Sequence, residues 1–177
     1  MSNLPNGYEW LSEVGTLPRT IQEALKLYDT REIVGPKHNQ TILGWAAEVG
    51  LEKIYTADET AWCGLLVAVV VKRAGKTVID KPLWARNWAK FGDAVDQPGL
   101  GDVLVFVRDG GGHVGFYVAE DATAYHVLGG NQGNRVSITR VAKDRCVAKR
   151  RPPYNLAPAS VKPYRVKASG TLSANEA

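Results

Sequence analysis

Hydrophobic and polar positions divide the chain into a helical first part and an alternating second part. Between positions 18 and 28, apolar residues recur at the spacing of a helix, and Thr20 is placed to cap it. A second short helix is predicted over 42–49, closed by Gly50, and a third over 84–90. The first part of the chain is therefore expected to be helical.

The segment from 61 to 75 is apolar nearly all round. Thr60 precedes it as an N-cap and Gly75 is placed to stop it, as in a helix buried on every side. Its valines also permit a strand, but the length of the segment and its end signals favour a helix. We therefore expect a core helix that begins close to Cys63.

After position 99 the pattern changes to the alternation typical of strands. Strands are predicted at 102–108, 113–119, 124–128 and 136–141, with a last edge strand at 146–149. Residues 109–112 form a glycine-rich turn, and residues 129–134 interrupt the sheet. Helices first and an antiparallel sheet second predict an α+β fold.

The composition is that of an ordinary globular domain, with 177 residues, 45% hydrophobic and 23% charged. We expect an N-terminal extension at 1–17, one domain at 18–153, and a basic and then flexible tail at 154–177. The longest apolar run is far shorter than the roughly 20 residues of a spanning helix. The first residues lack the basic and apolar regions of a secretion signal, so delivery outside the cytoplasm would need another route.

The net charge of +4 comes from a local excess of basic residues between 143 and 167. These residues are Lys143, Arg145, Lys149, Arg150, Arg151, Lys162, Arg165 and Lys167. Such a patch suits nucleic acid, an anionic wall polymer or an acidic lipid surface, and a solvated tail without specific function is an equal alternative. No zinc-finger spacing or aromatic-interleaved basic motif favours nucleic acid, so the wall polymer ranks above it.

Two cysteines, Cys63 and Cys146, are too few for a disulfide framework, and neither has the paired spacing of a metal site. The three histidines, His38, His113 and His126, form no ligand cluster in the sequence. We therefore expect neither a metal nor another cofactor.

Cys63 is predicted to lie in the first turn of its helix. There, unpaired backbone N–H groups and the positive end of the helix dipole stabilise a thiolate and can stabilise an oxyanion on a substrate. The alternative is a buried structural cysteine, the commoner role for a cysteine in an apolar stretch. The position predicts a nucleophile only if a base lies near it.

His113 is the candidate base, because it begins a strand directly after a run of glycines that leaves the ring accessible. The alternative is a polar residue at an exposed strand end. A cysteine at a helix start and a histidine at a strand start are the pair seen in papain-like sites. Asn131 is the preferred residue to orient the imidazole, and His126 is the rival; for Asn131 the alternative is ordinary turn chemistry beside glycine.

With these residues in hand, the sequence resembles the CHAP and NlpC-type papain-like amidohydrolases, and more narrowly a phage and prophage group of cell-wall hydrolases. The matching stretches are 62–67, 85–88, 101–106, 112–117 and 128–132, with 32–39 upstream. The resemblance implies Cys63 as nucleophile, His113 as base and Asn131 as orienting residue. CHAP domains often carry a glutamate two residues before the asparagine, and that position is Gly129 here. Many NlpC-type enzymes have a third histidine instead, so His126 remains an alternative orienting residue.

The resemblance implies a peptidoglycan hydrolase that cleaves an amide bond of the stem peptide. An endopeptidase is slightly favoured over an amidase because no feature of the sequence points to a muramic acid site, and a monomer is favoured although the oligomeric state is left open. Release from the host cytoplasm to the wall, or carriage in a virion, would deliver it. Trp62 either lines a substrate groove or packs in the core, whereas Arg86 and Trp88 either contact a peptide carboxylate and a sugar or pack on the helix surface. The competing functions are a virion or tail component and a wall-binding module that does not cleave.

Overall fold

The core helix begins at Cys63, two residues after the start that a Thr60 cap predicts. The structure, a computed structural model, describes residues 4–33, 36–57, 61–168, 170 and 172–173. The α-helices are α1 (Arg19–Lys26), α2 (Gln40–Glu48) and α3 (Cys63–Arg73), with 3₁₀ helices at Glu9–Glu13, Ala85–Lys90 and Lys143–Arg145. The helices predicted from periodicity are therefore confirmed, the segment after Trp84 as a 3₁₀ helix.

Helix α3 is buried from Cys63 to Val71, which explains why its sequence is apolar on every side. It packs against α1, α2 and the central sheet. Its last turn carries Lys72 and Arg73. The Arg73 guanidinium donates two hydrogen bonds of 2.8 Å to the carboxylate of Glu48, the last residue of α2. Trp62 occupies the N-cap position, and the predicted cap Thr60 lies outside the described residues.

All six strands pair antiparallel in one sheet, in the order β1-β6-β2-β3-β4-β5. The strands are β1 (Asp93–Ala94), β2 (Val103–Arg108), β3 (Gly111–Glu120), β4 (Ala124–Gly129), β5 (Ser137–Ala142) and β6 (Cys146–Arg151). The α+β class predicted from the sequence is thus confirmed.

Two strand predictions are wrong in detail. The strand predicted at the sheet edge is β6, which lies inside the sheet because the two-residue β1 pairs with its end at Arg150 and Arg151. The predicted glycine turn at 109–112 is shorter, because Gly111 and Gly112 already pair with Arg108 and Val107 as the start of β3. His113 therefore lies within the ladder, opposite Phe106.

The sheet has two unequal faces. The helices cover one face and form with it the main core, which contains α3 and residues of β2, β3 and β4. A smaller apolar cluster of Leu104, Phe106, Tyr117, Tyr125, Val127 and Val141 lies apart from that core. Helix α3 thus packs against the helix-covered face of the central strand β3.

The segments on either side of residues 18–153 pack onto this body. Leu11 is buried in the main core, and the Trp10 and Tyr164 rings lie 5.0 Å apart between centroids. The Ser160 hydroxyl donates to the Thr16 carbonyl at 2.5 Å, which joins the two segments directly. The described parts of both terminal segments therefore belong to the folded structure.

Candidate active site

Cys63 is the first residue of α3 and is 5% exposed. The first backbone hydrogen bond of the helix runs from the Leu66 N–H to the Trp62 carbonyl at 3.0 Å. The backbone N–H groups before Leu66, including that of Cys63, therefore precede the first bond of the helix ladder. The side chain lines a cavity of about 290 Å³. The cavity is lined by Ala61, Cys63, Leu83, Trp84, Ala85, Arg86, Arg108, Gly111 and Gly112.

The residue after the cysteine fixes a neighbouring loop. A Cβ atom at Gly64 would lie 2.2 Å from the Pro82 carbonyl oxygen, so only glycine lets this loop approach the first turn of α3. The same carbonyl accepts a bond from the indole N–H of Trp88 at 2.9 Å. The loop before the 3₁₀ helix at Ala85–Lys90 is thus held firmly beside Cys63.

His113 is fully buried in β3, and its ring stacks on Phe106 with a centroid separation of 6.2 Å and an interplanar angle of 30°. Its Nε2 atom lies 2.8 Å from Oε1 of Gln132. The amide nitrogen of Gln132 donates to the carbonyls of Val127 at 3.1 Å and Ser137 at 2.7 Å. These two acceptors settle which end of the amide faces the ring: the oxygen does, so Nε2 carries a proton.

The proton on Nε2 has a chemical consequence for His113. In a neutral imidazole one nitrogen donates and the other holds a lone pair. With Nε2 donating to Gln132, the basic nitrogen of the neutral ring is Nδ1. This tautomer and ring orientation are fixed by a neutral amide rather than by a carboxylate.

The residue on the His113 ring is therefore Gln132, and the expected orienting residue Asn131 needs correction. Asn131 has a left-handed backbone with a φ of 59°, a conformation that asparagine tolerates better than most residues. A Cβ atom at Gly129 would lie 2.8 Å from the Gln132 amide oxygen, so this glycine makes room for the amide. The sequence contains a signal for this arrangement, because asparagine suits a left-handed turn position at 131 and the side-chain amide of the next residue, Gln132, is then left to meet the His113 ring.

His126, the rival third residue, does not contact His113 through either ring nitrogen. Its Nε2 atom lies 2.7 Å from the Asp121 carboxylate and its Nδ1 atom 2.6 Å from the Tyr8 hydroxyl. It pairs with Ala119, six residues beyond His113 along β3, a separation of about 20 Å along the strand. His126 belongs to a different cluster.

Two contacts bring the halves of the site together. A Cβ atom at Gly130 would lie 2.8 Å from the ring of Trp62, so the loop that carries Gln132 abuts the residue before Cys63. Gly112, the residue before His113, lines the same cavity as Cys63. The nucleophile and the base predicted from the sequence therefore lie on elements that converge on one cavity.

The assignment of Trp62 and Trp88 to substrate contact needs correction. Both side chains are 0% exposed, and their indole N–H groups donate to Glu32 and Pro82, each at 2.9 Å. Both are core residues, which is the alternative that the sequence left open for Trp62, whereas Trp88 was expected at the helix surface. Arg86 is exposed and lines the Cys63 cavity, where a Cβ atom on Gly112 would lie 2.5 Å from its Cγ atom.

Trp84 is the aromatic residue at the cavity that sequence reasoning missed. Its side chain is 68% exposed and lines the cavity beside Cys63. Its position at the predicted start of a short helix gave no indication of which tryptophan would face solvent. Only the packing of Trp88 inward distinguishes the two.

Most of the basic residues after 143 bond to groups of this chain. Lys143 pairs with Glu120 at 3.0 Å, and the Arg151 guanidinium donates twice to Asp102 at 2.9 and 3.1 Å. Arg145, Lys149 and Arg150 donate to the backbone carbonyls of Val107, Asp96 and Phe91. Internal bonding of these five cations weakens the case for a broad anion-binding surface.

Within the described residues, no group of three or more His, Cys, Asp or Glu side chains could hold a metal ion. No helix of the described chain reaches the length and apolar character needed to cross a bilayer. Comparison of the chain with protein-family models, with curated proteins and with solved structures gives no match. The functional argument therefore depends on the residues and geometry above.

Proposed function

We propose that the protein is a cysteine peptidoglycan hydrolase that cleaves an amide bond of the stem peptide, with the papain-like fold of the CHAP and NlpC-type enzymes that its motifs resemble. The observation that supports this best is the fixed tautomer of His113, whose neighbour Gly112 on β3 lines the same cavity as a helix-start cysteine. A phage lysis or wall-penetration role follows from the same resemblance.

In the proposed mechanism, Nδ1 of His113 takes the Cys63 thiol proton, and the thiolate attacks the amide carbonyl carbon. Backbone N–H groups at the start of α3 stabilise the resulting oxyanion. The imidazolium then protonates the leaving amine, and a thioester remains on Cys63. Water, deprotonated by the same imidazole, hydrolyses the thioester and restores the thiol.

Gln132 acts in this mechanism as a positioning residue. Its amide oxygen accepts a hydrogen bond from Nε2–H throughout the proposed cycle, so the ring keeps its orientation while Nδ1 gains and loses a proton. A neutral partner leaves the imidazolium less stabilised than a carboxylate would, which favours return of the proton to the leaving group. The amide thus suits a residue that must act alternately as base and acid.

The substrate class is proposed from the resemblance together with one feature of the cavity. Arg86 provides an exposed cation beside Cys63, and the stem peptide carries carboxylates close to its amide bonds. None of the described cavity residues suggests a muramic acid site, so an endopeptidase is preferred over an amidase. A module that only binds the wall would depend on a basic surface that is largely used inside the fold.

The test is hydrolysis of purified peptidoglycan by the parent, Cys63→Ala and Cys146→Ala. We expect the parent and Cys146→Ala to reduce turbidity and release new amino termini, whereas Cys63→Ala releases none. Fragment masses identify the bond. Equal behaviour of the parent and Cys63→Ala would contradict the proposal and favour a structural or binding role.

A further inference from the structure

The cavity beside Cys63 does not end at the nucleophile. Trp84 lines it and also lines two neighbouring cavities, of about 230 and 380 Å³. The smaller of these is almost wholly apolar, with Leu51, Ile54, Lys81, Pro82, Leu83 and Trp84 as its lining. One exposed indole therefore stands where three cavities meet.

The exposure of Trp84 contrasts with that of three other tryptophans. Trp45, Trp62 and Trp88 are at most 2% exposed, whereas Trp84 is 68% exposed. Ile54, across the apolar cavity, is 72% exposed. Large apolar side chains exposed together beside a cleft are typical of a ligand-binding surface.

The loop that carries Trp84 is built into the fold. The Asn87 side-chain amide donates to the Asp80 carbonyl at 2.7 Å, and Trp88 donates to the Pro82 carbonyl at 2.9 Å. On its other side the loop packs on Gly64 of α3. A platform fixed in this way loses little conformational entropy when a ligand binds.

The charge of the residues that line the Cys63 cavity indicates the sign of the charge on its ligand. Its described lining contains Arg86 and Arg108 and no acidic side chain. Arg108 already donates to the Gly112 carbonyl at 3.1 Å, so Arg86 is the better placed cation for a ligand carboxylate. The apolar cavity beyond Trp84 has few groups for a sugar, which needs hydrogen-bond partners.

We propose that Trp84 divides the substrate cleft into two peptide subsites, and this inference rests on the proposed function. An acidic peptide runs from the Cys63 cavity across the Trp84 indole. Arg86 binds a carboxylate next to the scissile amide, and an aliphatic side chain of the peptide occupies the apolar cavity at Ile54. Trp84 is thereby a specificity-determining residue, whereas the buried Trp62 and Trp88 are not.

The test is binding of the synthetic stem peptide Ala-γ-D-Glu-Lys-D-Ala to Cys63→Ala protein, with affinities measured by titration calorimetry and acrylamide quenching of tryptophan fluorescence measured where Trp84 is present. Bound peptide should protect the exposed indole, and adding Trp84→Ala should weaken binding by at least about tenfold. Trp84→Phe should retain most of the affinity. Leu156→Ala, which removes another exposed apolar side chain outside the three cavities, should bind like the Cys63→Ala protein.

A second peptide, with the free carboxylate of its D-Glu amidated, tests the charge. It should bind more weakly to the Cys63→Ala protein, and the difference between the two peptides should disappear when Arg86→Ala is added. Unchanged affinity in Trp84→Ala, or protection of Trp84 by N-acetylmuramic acid but not by the peptide, would overturn the subsites. Because Cys63→Ala does not turn over, peptide binding without hydrolysis by the parent would refute the proposed function alone.

Discussion

Two buried histidines lie on adjacent strands, and their partners make them different groups. His113 on β3 contacts the neutral amide of Gln132, whereas His126 on β4 contacts the Asp121 carboxylate and the Tyr8 hydroxyl. Both are at most 1% exposed. The comparison teaches that burial and strand position do not distinguish a base from a structural histidine, but the hydrogen-bond partners do.

The two partners of His126 have shifted pKa values, one through charge and one through burial. Hydrogen bonds from the Arg140 guanidinium, at 2.8 and 3.0 Å, hold the pKa of Asp121 well below its usual range. Burial raises the pKa of Tyr8 to about 12, so its hydroxyl stays protonated where it lies 2.6 Å from Nδ1 of His126. Nδ1 thereby joins the N-terminal segment to the sheet, whereas Nε2 contacts the turn between β3 and β4.

The largest expected effect is on catalytic activity, and it should distinguish His113 from His126. We expect His113→Ala to lower kcat for peptidoglycan hydrolysis by about 10³-fold, since it removes the general base. His126→Ala should keep kcat within a few-fold of the parent and reduce stability instead. Initial rates on purified peptidoglycan, with urea unfolding of both variants, make the comparison. Loss of activity in folded His126→Ala would reverse the assignment.

The next effect concerns stability and its dependence on pH. Asp121→Asn leaves the largely buried Arg140 without its carboxylate, and we expect a loss of about 3 kcal/mol of unfolding free energy at pH 7. Because the folded pKa of Asp121 is depressed, its contribution is complete above the ordinary value of 3.8 and is lost as the pH falls below it.

Urea unfolding of the parent and Asp121→Asn at pH 7 and pH 3 measures this difference. The gap between the two proteins should narrow at pH 3, and the hydrolytic kcat at pH 7 should be unchanged. A gap that stays constant with pH would show that the Asp121 charge does not support the fold.

A smaller effect on kcat should distinguish the role of Gln132 from that of its neighbour Asn131. Gln132→Ala should lower kcat by about 10- to 100-fold with KM little changed, because it loosens the His113 ring without touching substrate. Asn131→Gly keeps the left-handed backbone and should leave kcat close to the parent value. The pH profile of kcat should shift in Gln132→Ala and not in Asn131→Gly. The opposite result would restore Asn131 as the orienting residue.

The helices and most strands could be predicted because periodicity and end signals are local. The segment that becomes α3 carries its own stop at Gly75, and the strand pattern after position 99 repeats every second residue. The place of β6 inside the sheet could not be predicted. Strand order depends on pairing between distant segments, here with the two residues of β1.

The nucleophile and base could be proposed from their positions, but the side chains around them could not be ordered. Whether Asn131 or Gln132 meets the ring depends on the direction of one side chain after a left-handed residue. Which tryptophan is exposed depends on packing, and Trp88 and Trp84 are only four residues apart. The residue types indicate which chemistry is possible, whereas tertiary contacts determine which residue takes each role.

Alkylation of Cys63 by iodoacetamide tests the central claim most directly, because it reports the nucleophile and its base without a substrate. Peptide mapping follows Cys63 and Cys146 together, and Cys146 is an internal reference since burial raises the pKa of its thiol. We predict that at pH 7 Cys63 reacts at least about tenfold faster in the parent than in His113→Ala, and that the rates converge at high pH. Equal Cys63 rates in the two proteins at pH 7 would contradict a Cys63–His113 catalytic pair.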